Sequence, residues 1–257
     1  DYKDGKLSYE SEGWIPSGGS FVYYPEELRI QPFEQKVIAL RNAVNHTLVY
    51  SKSINFANEN YYCVYDPVLF KGYSTPSERI PTSHYFEGAA IGTSGNVFTF
   101  STTSPAFFIF QTKGISPIDF NDDSSKTNYH GGGESGTTAN RRKRVELDWV
   151  LDGVEVFTTS SDKNQKRLTS TVDAGYVYTT SKLGYSLYRN VDQEATEALE
   201  GNQGKLVYNY NMGVGDSTDP SGIDAEASIR NGARIIYLDT NNSTNDFHER
   251  KEASLRY

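Results

Sequence analysis

Apolar and polar residues alternate with a period of two along much of the chain, in short runs broken by Gly, Pro, Asn and Asp. In residues 27–31, Leu28 and Ile30 alternate with charges. Residues 36–41 follow across Pro32 and Phe33, and residues 47–54 set Leu48, Tyr50 and Ile54 against Thr47, Val49 and Ser51. Period-two alternation puts apolar side chains on one face of a pleated strand, so these runs predict successive antiparallel strands. Residues 61–65, 68–70, 96–101 and 106–112 continue the pattern. Phe107, Phe108, Ile109 and Phe110 are apolar on both faces, as expected of a central strand covered on both sides.

The character changes at residues 119–140, where an Asp/Asn/Ser-rich stretch leads into Gly131, Gly132 and Gly133. Polar, glycine-rich segments of this length are linkers or long exposed loops, so a domain boundary is expected here. Beyond it Val145, Leu147, Trp149 and Leu151 alternate with Glu146, Asp148 and Val150 before Asp152-Gly153 and a second run at 154–159. Asp-Gly between two alternating runs predicts a two-residue hairpin. Further strands are expected at 167–171, 175–180, 185–189, 205–211 and 234–239. Helix is confined to 192–200, 223–231, where Gly232 supplies the stop, and a terminal stretch at 246–256.

The expected fold is therefore all-β, an antiparallel β-sandwich of jelly-roll or Ig-like type with few short helices. Two sandwich units in tandem are expected, an N-terminal one over 1–120 and a C-terminal one over 144–257, joined by a linker or long loop at 121–143. The 257 residues have room for two sandwiches of roughly 110 to 120 residues each.

Composition supports sheets with one wet face: hydrophobic residues reach only 36%, yet aromatics make up 13%, with 19 Tyr. A formal charge of −8 disfavours nucleic acid as a partner, because the summed field repels phosphate backbones. No window approaches the roughly 18 apolar residues of a transmembrane helix. Cys63 is the only cysteine, so no intramolecular disulfide forms, and in a strand between Tyr62 and Val64 it reads as a packed thiol. The chain opens at Asp1 and its only Met is Met212, which suggests removal of a leader or excision from a longer product. Asp1, Tyr2, Lys3 and Asp4 also fit a truncated epitope tag and are set aside.

Candidate chemistry is sparse. His46, His84, His130 and His248 sit in no recognisable motif, and Gly92-Thr93-Ser94-Gly95 lacks the spacing of a nucleophile elbow. No catalytic residue is assigned. Hard oxygen ligands on loops suit calcium, with Asp119, Asp122 and Asp123 in one cluster and Asp216, Asp219 and Asp224 in another; the alternative is that these acids simply form turns. Glu146, Asp148 and Glu155 could line a sugar-cleaving groove or a solvated sheet face. The basic cluster Arg141, Arg142, Lys143 and Arg144 reads as a patch for an anionic partner, a protease site, or an exposed loop end.

The aromatic spacing is the most suggestive feature. Tyr176 with Tyr178, and Tyr208 with Tyr210, stand two apart and so share a face. With Trp149 they form the candidate binding set for a glycan or a protein surface. A structural or attachment protein at an extracellular or virion surface, with copies of itself among its expected partners as a homo-oligomer, unites these features. A carbohydrate-active enzyme or carbohydrate-binding module is the alternative, and a β-pore-forming toxin is the third reading.

Overall fold

The computed structural model describes residues 29–40, 43–66, 77–81, 84–86, 106–123, 145–157, 166–180 and 183–253 with their side chains. It describes the strand backbone alone at 2–3, 6–7, 12–15, 20–23, 87–90, 129–131 and 141–144. The strands expected at 68–70 and 96–101 lie outside these residues, as do His130's side chain and most of the expected linker.

The chain is mostly β with few short helices. Fourteen strands are described: β1 (Tyr2–Lys3), β2 (Lys6–Leu7), β3 (Glu12–Ile15), β4 (Ser20–Tyr23), β5 (Ile38–Ala39), β6 (Tyr62–Val64), β7 (Tyr85–Ala90), β8 (Ala106–Phe110), β9 (Tyr129–Gly131), β10 (Arg141–Glu146), β11 (Val150–Phe157), β12 (Val177–Tyr178), β13 (Ser186–Arg189) and β14 (Phe247–Arg250). The helices are α1 (Pro117–Asp122), α2 (Gln193–Glu197), α3 (Ala225–Arg230) and α4 (Ser243–Asp246).

The ladders are mixed rather than wholly antiparallel. In the sheet ordered β4-β7-β6-β5, β4 and β7 are antiparallel while β6 runs parallel to both neighbours. In the sheet β12-β11-β8, β11 is antiparallel to β8 and parallel to β12. A third sheet is ordered β3-β10-β9, and β13 pairs with β14. The ladders β3–β10 and β8–β11 join residues on opposite sides of the 121–143 segment. The basic cluster from Arg141 to Arg144 lies on the paired strand β10 rather than at a loop end.

Several expected elements form differently, each for a local reason. Residues 47–54 make a 3₁₀ turn at His46–Leu48 followed by further turns, because Asn45 Oδ1 accepts from Thr47 N at 3.1 Å and from Thr47 Oγ1 at 2.6 Å. Such local bonds compete with a ladder. No hairpin forms at Asp152-Gly153; β11 runs straight through, its register against β8 shifting between Val150 and Asp152. Neither residue takes the positive φ the turn requires. Gly153 serves close packing instead, since a Cβ there would sit 2.7 Å from Val172 Cγ1. Strand β8 lies at the edge of its sheet among the described residues, with Ile109 52% exposed, so it is not covered on both sides.

Helices α2 and α3 fall within the spans expected at 192–200 and 223–231, and each has an acidic N-cap: Asp192 accepts from Ala195 N, and Asp224 from Ala227 N. Gly232 follows α3 at φ 80°. The expected terminal helix is instead the four-residue α4 running into β14. Helix α1 arises within the acidic stretch read as a loop. Ser116 caps it, Pro117 opens it, and it drives fully buried Phe120 against Phe108, Phe110, Trp149 and Val150.

Other buried clusters gather Ala39, Ala43, Cys63 and Ile80; Tyr62, Val64 and Phe86; and Val191, Ile223 and Ile235. Cys63 is among them, and burial pushes its thiol up to about 12, far from a reactive thiolate.

Candidate functional site

Strand β12 gives the clearest outward face. From Ala174 to Tyr178 burial alternates residue by residue, with Gly175 and Val177 inside and Tyr176 and Tyr178 outside at 48% and 44% exposure. The two phenols stand on one side of the strand, roughly 7 Å apart by strand rise. The Tyr176 and Phe157 rings meet in a T-shaped contact at 5.2 Å, which anchors the half-exposed Tyr176 to the buried Phe157.

The other aromatic candidates behave differently. Tyr208 is 55% exposed and donates to Glu197 Oε1 at 2.9 Å, a bond that raises the phenol's affinity for its proton. Tyr210 turns inward and Trp149 packs against Phe120 at 5.8 Å, so neither joins the β12 pair.

Behind β12 lies a buried charged node. Glu155, on β11, is 0% exposed, and Asp173 is 1% exposed. Glu155 accepts from Arg167 N at 2.7 and 3.0 Å and from Leu168 N at 3.3 Å. Asp173 Oδ1 accepts from Gly175 N at 2.9 Å and Ser243 N at 2.8 Å, while its Oδ2 accepts from Glu155 N at 3.0 Å and Ser243 Oγ at 2.8 Å. Lys166 Nζ reaches Glu155 Oε2 at 3.2 Å and Asp173 Oδ2 at 3.8 Å and donates to Gly175 O. Buried carboxylates persist only with such partners, and here every oxygen has at least one.

The node is also a seam between distant parts of the chain. Ala174 N donates to Asn241 O at 2.7 Å, Tyr176 N to Thr244 Oγ1 at 3.0 Å, and Thr244 Oγ1 to Tyr176 O at 2.9 Å. Gly175 permits this approach, since a Cβ there would lie 2.0 Å from Asn242 Oδ1.

A second polar cluster occupies one face of the β13–β14 pair, where register places Ser186 opposite Arg250 and Tyr188 opposite His248. The Asn190 amide donates to Asn245 O at 2.7 Å, which leaves its Oδ1 to accept from His248 Nδ1 at 2.7 Å. The imidazole proton therefore sits on Nδ1, and Nε2 accepts from the Tyr210 hydroxyl. Burial drives His248 down to about 4; Asp219 opposes that shift and Arg250 adds to it. Arg250 stacks 4.3 Å over the Tyr188 ring and pairs with Glu226 at 3.0 Å. Both imidazole nitrogens are thus committed to internal partners.

The acids proposed for calcium do not converge. Asp119 lies within α1, where its N–H caps onto Ser116 Oγ at 3.0 Å, and Asp122 and Asp123 end that helix. Asp219 is buried and accepts from Val191 N and Ser221 N, both at 2.9 Å; Asp224 caps α3; Asp216 is exposed in a tight turn. No group of three or more His, Cys, Asp or Glu among the described residues is placed to hold a metal. Of the carboxylates considered for sugar cleavage, Glu155 is sealed in the node and Asp148 pairs with Lys113 at 3.0 Å. No described helix is long and apolar enough to cross a membrane.

A family model described as "Protein of unknown function (DUF4876)" matches residues 31–209. No curated protein matches. Among solved structures, the chain is similar to a DUF4876 family protein from Bacteroides thetaiotaomicron, at 19% identity and a TM-score of 0.61, over 93% of this chain and 54% of that one. The chain therefore spans about half the length of that protein, and at this identity the likeness concerns the fold. The span matched by the family model takes in Glu155, Lys166, Asp173, Tyr176, Tyr178 and Tyr208, and stops short of Tyr210, Ser243 and His248. With more than half of its length matched, the chain belongs to the DUF4876 family.

Proposed function

We propose that the chain is a non-enzymatic attachment module at an extracellular surface, presenting the β12 face to a glycan. The observation that carries this reading is the pair Tyr176 and Tyr178, about half exposed on either side of the buried Val177. Flat phenol faces at strand spacing suit the apolar face of a pyranose ring, while their hydroxyls can bond its hydroxyl groups. A second observation agrees: the imidazole of His248 and the carboxylates of Glu155 and Asp173 are held by internal partners, as expected where side chains build a scaffold.

The test is a glycan-array screen of the purified chain beside the Tyr176→Ala/Tyr178→Ala variant, with size-exclusion light scattering on both. A glycan retained by the parent and lost by at least tenfold in the variant supports the reading. Turnover of an arrayed glycan would move it to a carbohydrate-active enzyme. Self-assembly without glycan binding would leave a structural subunit.

A further inference from the structure

Lys166 is held against two carboxylates that are almost wholly removed from water, Glu155 at 0% and Asp173 at 1% exposure. Its Nζ lies 3.2 Å from Glu155 Oε2 and 3.8 Å from Asp173 Oδ2. The molecule contains its own contrast: Lys113 and Asp148 are closer still, at 3.0 Å, but their side chains are 54% and 70% exposed.

We propose that Lys166 and Asp173 condense into an intramolecular amide, with Glu155 carrying the protons. Glu155 Oε2 takes a proton from the Lys166 ammonium, and the resulting amine attacks Asp173 Cγ. Charge then develops on Oδ1, which already accepts from two backbone N–H groups, those of Gly175 and Ser243 at 2.9 and 2.8 Å. Two N–H groups aimed at one oxygen are the arrangement that stabilises a tetrahedral oxyanion. The nitrogen gives up a second proton through Glu155, the C–Oδ2 bond breaks, and Oδ2 leaves with both protons as water. Atoms and charge balance: an ammonium and a carboxylate become an amide and one water, Glu155 returns to its carboxylate, and nothing is oxidised or reduced.

Three features favour the step. Lys166 Nζ stands 3.8 Å from Oδ2 of the carboxyl group it attacks, and reactants held side by side reach effective concentrations far above any in solution. A general acid–base at hydrogen-bond distance from the nucleophile is in place, in Glu155. The amide keeps one N–H, and Gly175 O, the present acceptor of the ammonium, is placed to receive it. The inference does not depend on the glycan reading, since it concerns the covalent state of the chain whatever it binds.

Intact mass spectrometry of the purified full chain decides the matter. The expected mass is that of the sequence less one water, with tryptic peptide 164–167 joined to 168–182 through Lys166 and Asp173. Lys166→Arg, which keeps the charge but cannot form the amide, and Glu155→Gln should both show the full sequence mass. Mass does not require the variants to be folded. A folded parent chain with the full sequence mass overturns the proposal. So does a water loss that maps elsewhere, such as a succinimide at Asp152-Gly153 or a link from Lys166 to Glu155.

Discussion

Strand β11 enters one buried node at its start and another at its end, and the two are built from opposite materials. At Val150 it packs beside Phe120, Phe108, Phe110 and Trp149, a cluster held by the area it hides from water. At Glu155 it joins Asp173 and Lys166, a cluster held by hydrogen bonds of defined direction. Apolar burial has no preferred angle, so a core tolerates changes that conserve volume. A buried carboxylate is different, because each N–H aimed at it becomes an unpaired donor once the acceptor is changed.

Substitutions that preserve shape should separate the two nodes. Asp173→Asn, compared in a Lys166→Arg background where no amide can form, should have the largest effect, on the order of 3–5 kcal/mol by urea denaturation, because it removes the charge opposite the basic side chain and turns an amide nitrogen toward backbone donors. A loss below 1 kcal/mol would mean that the polar node is not needed for stability. Phe120→Leu, a similar change of size in the ring node, should cost only about 1–1.5 kcal/mol by the same measurement.

Acid should act through the β13–β14 face. The folded state holds His248 at about 4 against 6.5 for the free side chain, so between those values the unfolded chain binds the extra proton. The contribution is complete above about pH 6.5 and is lost as pH falls toward 4, on the order of 2 kcal/mol. Comparing the parent with His248→Gln at pH 7 and pH 4.5 should reveal it as a shallower pH dependence in the variant. The smallest effect belongs to the outward face. Tyr178→Ser should change stability by about 0.5 kcal/mol or less, while weakening any ligand that uses the β12 pair.

The sequence exposed this contrast unevenly. The period-two run from Ala174 to Tyr178 was legible because adjacent residues settle it, and so were α2 and α3, whose caps are local. The class of the fold was legible too, but not the parallel pairings, which depend on connections that no period records. Residues 47–54 were misread because one Asn side chain outbid a weak alternation, and β14 because charged residues that suit a helix are here divided between two strand faces. Glu155 was visible only as a strand carboxylate. Nothing local marks Lys166, and Ser243, the partner that completes the site, stands seventy positions beyond Asp173. The run Asp173-Ala174-Gly175 was the available signal: an acid two residues before a glycine, with Asp173 Oδ1 turned back onto Gly175 N.

The seam between Gly175 and Asn242 also sets an order of events during biosynthesis. A ribosome delivers residues 166–176 long before it delivers the turn that caps them, so on the growing chain Asp173 lacks both bonds from Ser243 and Tyr176 N lacks Thr244. This half-made joint closes only once residues 241–244 have left the ribosome. A chain cut before Ser243 would leave the joint permanently open, with the Asp173 carboxylate short of two of its four hydrogen-bond donors.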